Sequence, residues 1–284
     1  MGSVYIVMDF IEHDLKTLME DMVEPFLQSE IKTLLLQLLS ATANMHSHWI
    51  LHRDLKTSNL LMNNRGQIKI ADFGLARYTG DPVPPLTQLV VTLWYRAPEL
   101  LLGEKAYGFE VDMWSIGCIF GELLTREPLL QGKNEIDQLT KTFELLGVPT
   151  EETWPGFRRL PNARSLTFPK TAQTTQSLLR TKFPLLTGAG VDLLGRLLKL
   201  DPKQRVEAEV AMRHVFFAEE PRPKKEEMFP TFPSKAGQEK RRRAFSPSAP
   251  MRGDAPVLEG SVGGLFADAE AEEAGAGFSL KMGR

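Results

Sequence analysis

Eight consecutive residues, His52-Arg53-Asp54-Leu55-Lys56-Thr57-Ser58-Asn59, constrain this chain more than any other stretch. They set a carboxylate, an amine and an amide within one short loop. Asp72-Phe73-Gly74 and then Ala97-Pro98-Glu99 follow in order. A lone His-Arg-Asp triplet is ordinarily a charged loop with a capping aspartate. Six fixed letters in the pattern H-R-D-L-K-x-x-N, followed by two further ordered motifs, are not an accident in 284 residues.

Composition removes several function classes. The chain is 42% hydrophobic and 25% charged with a net charge of −2, a globular balance with no overall bias toward nucleic acid or membrane. Its apolar runs, such as Leu34-Leu35-Leu36, are far shorter than the roughly 20 residues a bilayer span needs. Met1-Gly2-Ser3 supplies neither the basic start nor the cleavage site of a secretory signal, and Ile6 stands where myristoylation needs Ser or Thr. The single cysteine, Cys118, excludes an intramolecular disulfide, suits a reducing compartment and reads as a small core residue. His13, His46, His48 and His214 show no metal-ligand pattern.

Hydrophobic periodicity gives the organisation. Val4-Tyr5-Ile6-Val7-Met8 reads as a short buried strand, and Ile31, Leu34, Leu35, Leu38, Leu39, Thr42 and Met45 fall on one face of a helix that delivers the chain to His52. Ile68-Lys69-Ile70 reads as a strand entering Asp72, while residues 112–124 and 191–200 are apolar enough to be core helices. The expected body is therefore mainly helical and spans residues 1–217. Beyond Phe217 the composition turns to Pro, Lys and Glu, then to Lys240-Arg241-Arg242-Arg243, Ser246-Pro247 and a Gly/Ala/Glu-rich finish, so residues 218–284 are expected to be a disordered tail. There is no internal repeat at solenoid periods.

The loop chemistry suits a phosphoryl group in flight, which needs an aligned nucleophile and positive charge over its spreading negative charge. Asp54 is placed to accept a hydrogen bond from a substrate hydroxyl and to take its proton late, and Lys56 can reach the transferred phosphate. Asn59 and Asp72 offer the hard oxygens that magnesium prefers, and Gly74 frees the backbone to turn.

These motifs resemble the eukaryotic protein kinases. Val90-Val91-Thr92-Leu93-Trp94-Tyr95-Arg96-Ala97-Pro98-Glu99 is similar to the activation-segment ending of the cyclin-dependent group. Trp49-Ile50-Leu51, Lys56-Thr57-Ser58-Asn59, Gly132-Lys133-Asn134-Glu135-Ile136-Asp137-Gln138 and Gly277-Phe278-Ser279-Leu280-Lys281 resemble the PITSLRE-type members of that group. The resemblance implies an α+β kinase fold, here the helical large lobe plus a hinge strand, using ATP and Mg²⁺. It implies Met8 as gatekeeper, a hinge of Asp9-Phe10-Ile11 whose Asp9 and Ile11 backbone binds adenine, and an apolar floor from Leu61 and Ala71. Asp14 lies where the family places a ribose contact, and it could equally cap the helix that begins at Leu15.

The same resemblance implies phosphorylation at Thr87, with Arg53 and Arg77 clamping the phosphate, although Leu86 replaces the tyrosine many relatives carry before this threonine. A threonine in such a loop is otherwise simply solvated. Val90, Val91 and Arg96 resemble the pocket that selects proline after the target residue, since proline has no N–H to strand. Substrates are then Ser-Pro or Thr-Pro proteins. Glu99 and Arg205 are expected to form a buried ion pair, and Asp112 to anchor the catalytic loop's backbone. Trp94, Tyr95 and Trp114 read as core. Lys240-Arg241-Arg242-Arg243 is either a nuclear-import patch or a solvated run, and the resemblance favours the nucleus. Residues 1–51 carry no glycine-rich loop, strand lysine or partner glutamate, so the small lobe and its cyclin-gripping helix are expected to be missing, with phosphate transfer by this chain poor. The hinge strand then loses its sheet partners and exposes apolar side chains. The alternative is a large-lobe fragment that binds kinase substrates or partners without catalysis.

Overall fold

The computed structural model describes residues 7–79, 92–163 and 176–233. The chain enters through a two-residue strand, β1 (His13–Asp14), which runs into helix α1 (Leu15–Asp21). Asp14 caps that helix, its Oδ1 accepting from the Thr17 N–H at 2.8 Å. Helix α2 (Gln28–Ser47) follows, opened by Glu30, whose Oε2 accepts from the Leu27 N–H at 2.8 Å. Every position of its expected apolar face is buried. Strand β2 (Ile50–Leu51) then leads into the catalytic loop, and β3 (Leu60–Met62) and β4 (Ile68–Ile70) form a hairpin. β1 pairs antiparallel with β3, which pairs antiparallel with β4; β2 pairs antiparallel with β5 (Arg77–Tyr78).

The α-helices in the rest of the described chain are α3 (Pro98–Leu101), α4 (Glu110–Thr125), α5 (Glu135–Leu146), α6 (Leu179–Lys182), α7 (Gly188–Leu197) and α8 (Ala208–Met212). α4 is buried on every side from Val111 to Leu123, which makes it the axis of the core rather than a surface helix. Gly117 and Gly121 let Leu198 and Leu129 reach it, since a Cβ would lie 2.7 Å and 2.9 Å from those side chains. Trp94, Tyr95, Trp114 and Cys118 are all core, and burial pushes the Cys118 thiol's pKa far up.

One ion pair is sealed inside. Arg205 grips Glu99 with two nitrogens at 2.7 Å and 3.0 Å, donates to the Lys199 and Glu110 carbonyls, and lies 5.2 Å over the Trp114 ring. With its donors satisfied in this way, the pair avoids leaving a lone buried charge, the costly case.

Two expectations need correction. Val7 and Met8 are not in a strand; they are 96% and 75% exposed, because no strand among the described residues pairs with residues 7–10. Residues 4–6 lie outside the described residues. The folded body also does not stop at Phe217. Residues 218–233 pack against α2 and the β3–β4 hairpin, with Phe229 buried, because the Lys and Glu side chains that look like tail composition form pairs: Lys224 meets Glu30 at 2.7 Å, and Lys32 donates to the Glu219 carbonyl at 3.0 Å.

Candidate active site

The catalytic loop is held from below by α4. Asp112, in its first turn, accepts from the His52 N–H at 3.0 Å and the Arg53 N–H at 2.9 Å, as the sequence led us to expect. His46, from the end of α2, reaches the same carboxylate at 3.0 Å and stacks on Phe109. These bonds hold Arg53 at φ 65°, a left-handed backbone rare for a residue with a side chain. The turn aims Asp54 away from the helix.

Asp54 is almost buried, and both of its oxygens are occupied. Lys56 Nζ donates to Oδ2 at 2.7 Å and Asn59 Nδ2 to the same oxygen at 3.1 Å. On the other oxygen, Oδ1, the Thr92 N–H and hydroxyl donate at 3.2 Å and 3.0 Å. The Thr92 hydroxyl also accepts from Lys56 Nζ at 3.0 Å. A carboxylate so bonded cannot rotate, so a hydroxyl approaching it meets a fixed acceptor. Sequence reasoning missed Thr92 as a member of this group, although it lies inside the quoted motif between Val91 and Leu93. No spacing rule announces that a residue 38 positions away will close on Asp54.

Asn59 spends its amide N–H groups on Asp54, donating also to its backbone carbonyl at 2.8 Å, which leaves its side-chain oxygen as the free acceptor of the amide. β4 carries the chain into Asp72, which sits in the left-handed region at φ 63° and accepts from the Gly74 N–H at 3.2 Å. His52 ties this strand exit to the loop through Nε2 and the Ala71 carbonyl at 3.1 Å. One amide and one carboxylate suit magnesium, which keeps waters and substrate phosphates as its remaining ligands. Among the described residues no cluster of three or more His, Cys, Asp or Glu could form an all-protein metal cage.

The remaining expected residues divide by place. Leu61 lies half-buried on β3, opposite Asp14 of β1 and Lys69 of β4, and Ala71 is half-buried beyond β4. Asp9 is exposed, 3.4 Å from Lys69 Nζ, and Ile11 is half-buried. Asp14 serves as the helix cap, the alternative its position had left open. Arg53 donates to the Leu75 carbonyl at 2.8 Å and the Tyr107 hydroxyl at 2.9 Å, and β5 brings Arg77 alongside Leu51. Both arginines thus stand at the root of the segment that leads to Thr87. Thr87, Val90 and Val91 lie outside the described residues, as do Ser246-Pro247 and Lys240-Arg241-Arg242-Arg243. Arg96 pairs with Glu135 of α5 at 2.6 Å.

A second buried group escaped the sequence reading. Glu122 of α4 accepts from the Thr57 hydroxyl at 2.9 Å and from the Tyr95 hydroxyl at 2.7 Å. One carboxylate therefore joins the catalytic loop to the segment that carries Arg96. Burial pushes its pKa up to about 6, against the opposing pull of the two hydroxyl donors. That segment is also stitched to α5: Trp94 Nε1 donates to the Gly132 carbonyl at 3.0 Å, and the Gln138 side chain bonds both Gly132 N–H and the Trp94 carbonyl.

Compared with known protein families, residues 1–217 match the protein kinase domain. Over 246 residues the chain is 61% identical to the serine/threonine-protein kinase ppk23 of Schizosaccharomyces pombe, covering 86% of this chain and 61% of that protein. It is 53% identical over 247 residues to cyclin-dependent kinase G-1 of Oryza sativa subsp. indica, covering 84% of this chain and 35% of the relative. To human cyclin-dependent kinase 11B it is 48% identical over 290 residues, covering 99% of this chain and 36% of the relative. The chain thus spans 61% of the first of these relatives and little more than a third of the others.

Proposed function

The chain belongs to the protein kinase family, in its cyclin-dependent group, and from that premise we propose that the protein transfers the γ-phosphate of ATP to serine or threonine followed by proline. The observation that carries this reading is the bonded group of Asp54, Lys56, Asn59 and Thr92. Asp54 orients the substrate hydroxyl and takes its proton as the bond to phosphorus forms. Lys56 holds positive charge beside the departing and arriving oxygens. Asn59 and Asp72 would hold magnesium, which would supply positive charge against the nucleotide phosphates. The preference for proline rests on Val90, Val91 and Arg96 and on the group to which the chain belongs. A cyclin partner, phosphorylation of Thr87 and a nuclear location are proposed on the same footing.

The test compares phosphate transfer from Mg–ATP to a Ser-Pro peptide and to its Ser-Ala counterpart, with Asp54→Asn as control. Transfer to the first alone, abolished by the substitution, is the expected outcome. Equal use of both peptides would remove the proline preference but leave the kinase. A second reading, a large-lobe binding module, draws on the exposed Val7, Met8 and Phe10 at the nucleotide edge. That reading predicts no magnesium-dependent ATP binding.

A further inference from the structure

The sheet that flanks the catalytic loop is too slight to hold itself. β1 has two residues, and β3 and β4 three each, yet β3 carries Leu61 and β4 delivers Asp72. Its position must be fixed from outside. α2 contributes part of that support: Gln37 donates to the Gly66 carbonyl at 2.9 Å and accepts from the Ile68 N–H at 2.8 Å. The rest comes from residues 218–233. The Phe229 ring packs so tightly on Gly66, which sits at φ +75°, that a Cβ there would lie 2.8 Å from it. Glu226 accepts from the Gln67 side chain at 3.1 Å, and the Phe232 N–H donates to Asn64 Oδ1 at 2.8 Å. The Phe232 ring meets His13 of β1 edge-on, with centroids 6.0 Å apart. The strap therefore touches β1 and the turn that joins β3 to β4.

The strap is itself bolted to α2. Thr33 donates to the Lys224 carbonyl at 2.6 Å, the Lys224 N–H donates to the Ser29 carbonyl at 3.0 Å, and the Lys224 ammonium pairs with Glu30. Lys32 is fully buried beneath it, 4.6 Å over the Phe216 ring, with a pKa pulled below the ordinary lysine value by burial.

The geometry points to residues 218–233 as a clasp that sets the position of the β1–β3–β4 sheet, and through it Asp72 and the hinge end of the cleft. Phe229 and Phe232 are positioning residues for magnesium–nucleotide binding. The inference rests on the kinase reading above and adds a selective consequence. The segment that would carry the peptide is held separately, through Glu122 and Gln138, so loosening the clasp weakens nucleotide binding and spares peptide binding.

The experiment uses the full chain with Phe229→Ala, the milder Phe232→Ala and the conservative Phe229→Leu. It reads the Kd for Mg–ATP, the KM for a Ser-Pro peptide and hydrogen exchange over residues 60–72. The expected result is Mg–ATP binding about tenfold weaker in the alanine variants, the loss typical when a supporting shell is removed. Exchange over residues 60–72 rises, the peptide KM is unchanged, and leucine restores most of the affinity. Should Phe229→Ala fail to fold, Phe232→Ala carries the same readouts. Normal wild-type binding that is indifferent to both alanine variants, or a peptide KM that rises in step with the Kd, overturns the clasp alone. A wild-type chain that binds no Mg–ATP overturns the kinase reading and the clasp with it.

Discussion

The two sides of the cleft are built on different principles. On the catalytic-loop side, Asp54 receives four hydrogen bonds, its backbone is gripped by Asp112, and the segment bearing Arg96 is joined to it through Glu122. On the nucleotide side, Val7, Met8 and Phe10 are exposed, Asp9 is tied across 3.4 Å to an exposed lysine, and Phe73 and Tyr78 are 48% and 76% exposed. Proton-transfer geometry depends on fractions of an ångström and is over-determined by buried bonds. The difference predicts that substitutions on the loop side disturb fold and chemistry together, while those at the exposed residues 7–10 disturb the fold little.

The largest effect belongs to the sealed Arg205–Glu99 pair, which bonds the Glu110 carbonyl at the start of the helix whose Asp112 grips the loop. Arg205→Ala leaves Glu99 buried and uncompensated, so it should cost about 3–5 kcal/mol of stability in denaturant unfolding. Arg205→Lys should recover only part, because one ammonium cannot reproduce the two-nitrogen grip at 2.7 Å and 3.0 Å. A loss below about 1 kcal/mol for Arg205→Ala would contradict the view that this side is over-determined.

Glu122 sharpens the comparison through pH. Its folded-state pKa of about 6 exceeds the ordinary 4.5, so the folded form binds the proton more tightly. The resulting stability is full below pH 4.5 and is lost as pH rises through 6, by about 2 kcal/mol. Glu122→Gln, which cannot ionise, should lack that slope, so subtracting the two unfolding curves isolates it. Parallel curves between pH 4 and 7 would show that Glu122 titrates normally.

Much of this was legible in the sequence. Loop residues within eight positions of Asp54 and the helix face of α2 follow from spacing and periodicity, which are local, whereas the Asp112 anchor, 60 residues from His52, came only from the family resemblance. What was not legible depends on chain closure. Thr92 and Glu122 join the loop across 38 and 65 residues, and no period connects them. The clasp was misread for a related reason. Its Lys- and Glu-rich composition looks like a solvated tail until α2 supplies Glu30 and Lys32 at matching heights. At residues 4–8 the apolar pattern alone reads as a buried strand, while the absence of small-lobe partners in the sequence implied the exposure that Val7 shows.

Asp14 tests the boundary between the two sides. As a helix cap, its replacement by alanine should cost about 1 kcal/mol of stability, read by thermal unfolding. If capping is its whole role, Mg–ATP affinity is unchanged; a loss of affinity beyond the loss of stability would restore the ribose contact the family resemblance implies.

The smallest expected effect lies on the nucleotide side itself. Phe10 is 66% exposed and Met8 75%, so in the chain alone Phe10→Ser and Met8→Ser remove apolar surface that water already wets. Each should shift unfolding stability by no more than about 0.5 kcal/mol, in contrast to the several kcal/mol expected at Arg205. Mg–ATP binding is the sharper readout, since the adenine contact proposed for the Asp9 and Ile11 backbone would need the neighbouring side chains only to exclude water. A serine at position 10 that destabilised the chain as strongly as Arg205→Ala would mean that this edge is packed in solution, and the contrast between the two sides would collapse.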